Sequence, residues 1–178
     1  MLVVGLAGLL LKALQEAWHF ITHVFTATGA TAPPTYENAG HNNNLSFIIT
    51  GDGVIVVNGG ASWKLAEALH AEIKAVTDQP VKLVINENGQ GHSMLGNSYW
   101  AAQGVAILAH EDAAAEFAQT ADNALISLRS YARQNAEGTT IVAPTETFTD
   151  KKVITMGEAT IEVLHLGPAH SPGDTQVW

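Results

Sequence analysis

The apolar positions of the chain fall into short runs. Each run is broken by glycine, proline or asparagine, and the breaks define the elements on either side. Residues 22–27 alternate weakly and are rich in β-formers, which predicts a strand. Residues 29–38 contain Pro33-Pro34 and read as loop. Asn42-Asn43-Asn44 leads into Leu45-Ser46-Phe47-Ile48-Ile49-Thr50, and Gly51-Asp52-Gly53 turns the chain into Val54-Ile55-Val56-Val57. Glycine takes positive φ at no steric cost, so this unit is a hairpin. After Asn58-Gly59-Gly60, Ser62 can cap a helix along which Leu65, Leu69, Ile73 and Val76 recur at helical spacing. Pro80 cannot continue that helix.

Residues 81–85 read as a strand buried on both faces. A polar, glycine-rich loop follows, Asn86-Glu87-Asn88-Gly89-Gln90-Gly91-His92, then a short helix over 95–103 and a strand over 105–109. Asp112 opens a long helix with Phe117, Ala121, Ala124, Leu128 and Tyr131 on one stripe, and Gly138 is its expected stop. Residues 152–155 and 160–165 form a second hairpin about Gly157-Glu158. Residues 167–174 are a loop, and 175–178 begin another strand. The order is two or three antiparallel strands, then helix, strand, helix, strand, helix, then a hairpin, which is an α/β arrangement.

Composition narrows the class. At 178 residues, with 47% apolar and 14% charged, the chain is globular and long enough for one domain with a substantial core. A net charge of −9 repels phosphate backbones and argues against nucleic acid as a partner. The absence of cysteine excludes disulfides, thiolate metal sites and a Cys nucleophile. The apolar stretch 2–11 is too short to span a bilayer. Residues 1–20 are read as a short helix or a leader, and residues 21–178 as the domain.

Of the eight histidines, most are expected to be structural or exposed. His70 is assigned to a partly exposed helix position, and His165 to packing on a strand face beside Ile161 and Val163. His19 and His23 flank an uncertain segment, and His41 precedes the Asn run in a loop that can line a site. His92 and His170 stand apart, because each lies in a glycine-bearing turn after a predicted strand. Rigid loops at strand ends are where a fold holds metal ligands or catalytic groups. Two neutral imidazoles brought together can bind zinc, and unrelated turn histidines remain an equal alternative on these residues alone. Gly89-Gln90-Gly91 matches neither the dinucleotide nor the P-loop spacing, and Gly91-His92-Ser93-Met94-Leu95-Gly96 is not a nucleophile elbow.

Several of these segments, in this order, resemble the metallo-β-lactamase fold superfamily from about His23 to the last residue. They are the 43–50 strand, Gly53 through Gly60, the Val84-Ile85-Asn86 strand end, the His92-to-Asn97 turn, and Gly167-Pro168-Ala169-His170-Ser171-Pro172-Gly173-Asp174. The resemblance implies one half of an αβ/βα sandwich: a mixed sheet with an N-terminal antiparallel hairpin and helices packed on it. It also implies that the family's second half is missing, so the domain is read as truncated at its C-terminus. In that superfamily the first turn reads His-x-His-x-Asp-His and holds two zinc ions. Counting back from His92 puts Gly91 at the Asp, Gly89 at the second His and Glu87 at the first; a one-residue deletion would put Asn88 there instead. Either way only His92 of that motif remains. His170 matches the later zinc-ligating His, and Asn58 stands where the family usually has Asp.

By resemblance the parent activity is zinc-dependent hydrolysis of an ester, lactone, lactam or thioester, in which zinc presents hydroxide to the carbonyl. This chain is expected to be inactive or weakly active, with His92, His170 and Glu87 as residual metal donors for one weakly held zinc. Asn88, Gln90, His41 and Asp174 are placed in the pocket. The alternative is a non-catalytic member of the fold whose pocket takes a small-molecule ligand. A loop related to Gly-Gly-Gln-Asp-His followed by Leu-Gly-Asn implies a periplasmic or secreted location, since that subgroup often carries export signals. A half sandwich is also expected to leave one sheet face uncovered, which points to a homodimer or aggregation.

Overall fold

Alternation along each strand decides which of two cores it feeds. The structure is a computed structural model that describes residues 23–178; the expectations for residues 1–20, including His19, lie outside the described residues. One sheet holds β1 (Val24–Ala27), β2 (Leu45–Ile49), β3 (Val54–Val57), β4 (Val81–Asn86), β5 (Ala106–His110) and β6 (Glu146–Phe148), hydrogen-bonded in that order. β1, β2 and β3 are antiparallel, and β3 through β6 are parallel. A second sheet holds β7 (Lys151–Met156), β8 (Ala159–Leu164) and β9 (Gln176–Val177), all antiparallel.

One face of the larger sheet carries Phe47, Val54, Val56, Val81, Val84 and Ile107. These pack with Leu65, Leu69 and Ile73 of α1 (Trp63–Val76) and with Tyr99 and Trp100 of α3 (Asn97–Ala102). Ser62 caps α1 by accepting the Leu65 N–H at 3.1 Å, as its position predicts; such caps stabilise by about 1 kcal/mol. Beside it, α4 (Glu111–Ala132) buries Phe117, Ala121 and Leu128 against Met94 and Leu95, at the end of the single-turn helix α2 (Gly91–Met94).

The opposite face carries Ile55, Leu83, Ile85, Leu108 and Phe148, which meet Ile161 and Val163 of β8. The second sheet therefore covers the face expected to stand open. The exposed large apolar side chains, among them Val153, Leu166 and Trp178, are scattered along the chain.

The structure departs from the sequence reading in a few places. The short helix begins at Gly91, and Leu95-Gly96 divides it into α2 and α3. The cap of α4 is His110, so the helix opens before Asp112; it ends at Ala132 and passes through a 3-10 turn, Arg133–Ala136, before Gly138. β6 has no signal in the sequence, because its three residues alternate too briefly to show a period. His70 is buried, with its Nδ1 2.8 Å from the Tyr99 hydroxyl, because α3 closes over that side of α1. Among the described residues no helix is long and apolar enough to cross a membrane.

Candidate functional site

The loop after β4 is held at both ends by buried amides. Asn86 donates from Nδ2 to the Ser93 carbonyl (2.9 Å) and to Asn97 Oδ1 (3.1 Å), and accepts at Oδ1 from Asn97 Nδ2 (3.0 Å). Asn58 sits at the end of β3 with φ 71°, a left-handed conformation that asparagine tolerates. Its Oδ1 accepts from Ser93 Oγ (2.7 Å) and Glu87 N (3.3 Å), and its Nδ2 donates to the Asn44 carbonyl (3.1 Å). Buried polar groups that are all paired specify one arrangement, so residues 87–92 have a fixed path. A Cβ on Gly89 would stand 2.5 Å from the Ala113 carbonyl, and one on Gly173 would stand 2.1 Å from Ala113 N. Glycine at both places lets the two loops lie against the first turn of α4.

The second loop, after β8, is organised by Asp174. Its carboxylate accepts the backbone N–H of His170 and of Ser171 (3.1 Å) and the Ser171 hydroxyl (2.6 Å). Thr175 N donates to the Glu87 carbonyl at 2.8 Å and ties the two loops together.

Between them lies an open cleft of about 390 Å³ whose lining includes Glu87, Asn88, His92, His170 and Asp174. Gln90 reaches its rim, with Oε1 3.3 Å from His170 Nε2. His41 is not part of the cleft. Its loop meets the site through Asn43, whose Nδ2 donates to the His92 carbonyl at 3.3 Å, and through the Asn44 carbonyl, which accepts from Asn58.

Burial, the largest influence, holds the His92 ring below the usual imidazole range; the neighbouring His170 adds to this and Asp174 opposes it. Burial pushes the Glu87 carboxyl up, Asn58 opposes, and Asp174 adds to the rise. Burial also pushes Asp174 upward, but the Ser171 and His170 hydrogen bonds and the charge of His170 outweigh it and leave the group lowered. Burial likewise lowers His41 and His70.

The amides around the cleft are aimed at the ring nitrogens. Asn88 Oδ1 accepts the Gln90 N–H at 2.9 Å, which turns Nδ2 toward His92 Nε2 at 3.4 Å. An N–H therefore faces the lone pair that would hold a metal. A dinuclear zinc centre needs about three protein ligands per ion and an open position. Two imidazoles and two carboxylates, one of them fully engaged by its own loop, do not fit it.

A second group lies behind the cleft loops. His110, Asp112 and His165 bring their ligand atoms within 4.8 Å of one another and could hold a metal ion. The two rings are stacked, with centroids 3.8 Å apart and planes 20° apart. His165 stands one residue past β8, and its ring lies on that of His110. Nothing in the sequence singles out His110, because histidine is not a common helix cap and no motif links it to His165.

No family model and no curated protein matches the chain. Solved structures do. The chain is similar to a metallo-β-lactamase from Pontibacter korlensis (TM-score 0.65, 19% identity), with 90% of this chain and 64% of that one covered. It is similar also to the metallo-β-lactamase FIM-1 from Pseudomonas aeruginosa in the mono-zinc form (TM-score 0.65, 15% identity), covering 90% and 62%. The fold is that of the metallo-β-lactamases, and the chain spans less than two thirds of the length of these two structures.

Proposed function

We propose that this protein is a metallo-β-lactamase-fold hydrolase homologue without a working dinuclear centre. His92, His170 and Glu87 remain as donors for one weakly held ion. The observation that carries this reading is the meeting of His92 and His170, far apart in sequence, in one cleft at the ends of β4 and β8. The substrate class of the parent activity is an ester, lactone, lactam or thioester. Turnover by this chain is expected to be weak or absent, since its donor set does not fit the centre that would perform the hydrolysis. A periplasmic or secreted location rests on the apolar stretch 2–11 and the loop resemblance alone.

Zinc titration by calorimetry tests the reading. Saturable binding to the parent chain, with one equivalent of it lost in both His92→Ala and His170→Ala, is the expected result. Binding unchanged by either substitution would overturn it. The second reading, a non-catalytic module for a polar small molecule, is favoured by the amides of Asn88 and Gln90 turned onto the two ring nitrogens. It gains if zinc does not bind and a small polar ligand raises the melting temperature.

A further inference from the structure

We propose that His110, Asp112 and His165 form a metal site of their own, separate from the cleft, for a divalent ion of the zinc, cobalt or nickel class. A neutral imidazole binds metal through its one lone pair, and the partner of its other nitrogen decides which nitrogen that is. His110 Nε2–H donates to the Thr149 carbonyl, which leaves Nδ1 as the lone pair; it accepts the Asp112 N–H at 3.1 Å, a cap bond that a bound metal displaces. His165 Nδ1–H donates to the Asp174 carbonyl at 2.9 Å, which leaves Nε2. Both rings thus have the backbone-carbonyl support that orients metal-ligating histidines. Asp112 Oδ2 lies 3.8 Å from His110 Nδ1 and supplies an oxygen donor. Two imidazoles and one carboxylate suit borderline first-row ions and leave positions open for water.

The stack sets what binding requires. A metal about 2.0–2.1 Å from each nitrogen lies in both ring planes, and stacked rings with centroids 3.8 Å apart and planes inclined by 20° do not meet there. One ring must turn. His110 is 3% exposed and held through Nε2–H on the Thr149 carbonyl, so it is the fixed member. His165 is half-buried, at the end of β8 and two residues before Gly167 with φ 109°, so it is the one able to swing. The swing strains the Asp174 carbonyl contact, so metal here couples to the cleft loop.

This site does not depend on the reading of the cleft, and one experiment separates them. Cobalt(II) is titrated into the full chain carrying His92→Ala and His170→Ala together, followed by its visible absorption. One equivalent is expected to bind. Adding His165→Ala, or separately Asp112→Asn at an exposed carboxylate, is expected to weaken binding at least about tenfold, with circular dichroism unchanged. Failure of the double variant to bind cobalt overturns the proposal, as does binding unaffected by both added substitutions. Loss of metal from the cleft alone leaves this result standing.

Discussion

By the count back from His92, Gly91 falls where the resembled motif would carry a metal-binding Asp, and a side chain at this position would meet α4. A Cβ there would stand 2.9 Å from the Ala124 Cβ and 3.2 Å from Leu95 Cδ1. The position points into α4, and Gly91 is not part of the cleft lining. Gly91→Asp is therefore expected to cost about 1–3 kcal/mol through overpacking, with zinc affinity unchanged within about twofold. Urea denaturation and calorimetry on the variant check both; a tenfold gain in affinity would show that the side chain reaches the cleft after all. The deficit at this residue was legible in the sequence, because a glycine cannot ligate. The closure of Ala124 over it was not, since contact between α2 and α4 is not a property of either segment.

At the scale of elements, the cleft depends on two loops seated on one helix end. Gly173 sits where a Cβ would be 2.1 Å from Ala113 N and 2.6 Å from Ala113 Cα, with backbone in the way and no flexible side chain to yield. Gly173→Ala is expected to lift the 165–175 loop off α4, lowering stability by about 1–3 kcal/mol. Hydrogen exchange should quicken at Ser171 and Thr175, whose N–H groups bond within and across the loops. Unchanged exchange at both would mean that the loop adjusts elsewhere. The hairpins, α1 and the strand before the cleft were readable from alternation and from caps, which are local. β6 and the broken short helix were not, because their reasons are neighbours: β5 supplies the partner for β6, and Gly96 lies 2.7 Å through its N–H from the Gly60 carbonyl.

For the whole molecule, burial of neutral histidines sets the response to acid. His41, His70 and His92 are each held below their ordinary value of 6.5, chiefly by burial. The unfolded chain then takes up protons that the folded chain refuses, so these groups cost nothing above 6.5 and subtract stability as pH falls below it. Asp174, also lowered, adds to the loss at more acid pH. Glu87, raised from 4.5, works in the opposite sense as one group against these. The urea midpoint is expected to fall between about pH 7.5 and about pH 5.5, and a midpoint equal or higher at the acid end would contradict it.

The sequence by itself determined most of the order of elements, the two hairpins, the acidic charge and the lack of thiol chemistry, and it singled out His92 and His170 as the candidate pair. These follow from period, turn residues and residue type, all of which act within a few positions. Only the tertiary structure decided that the second sheet covers the first, that His41 stands off the cleft, and that His110 and His165 meet face to face. Those outcomes depend on side chains many residues apart sharing one space, and burial and the competition of partners settle them after the local elements have formed.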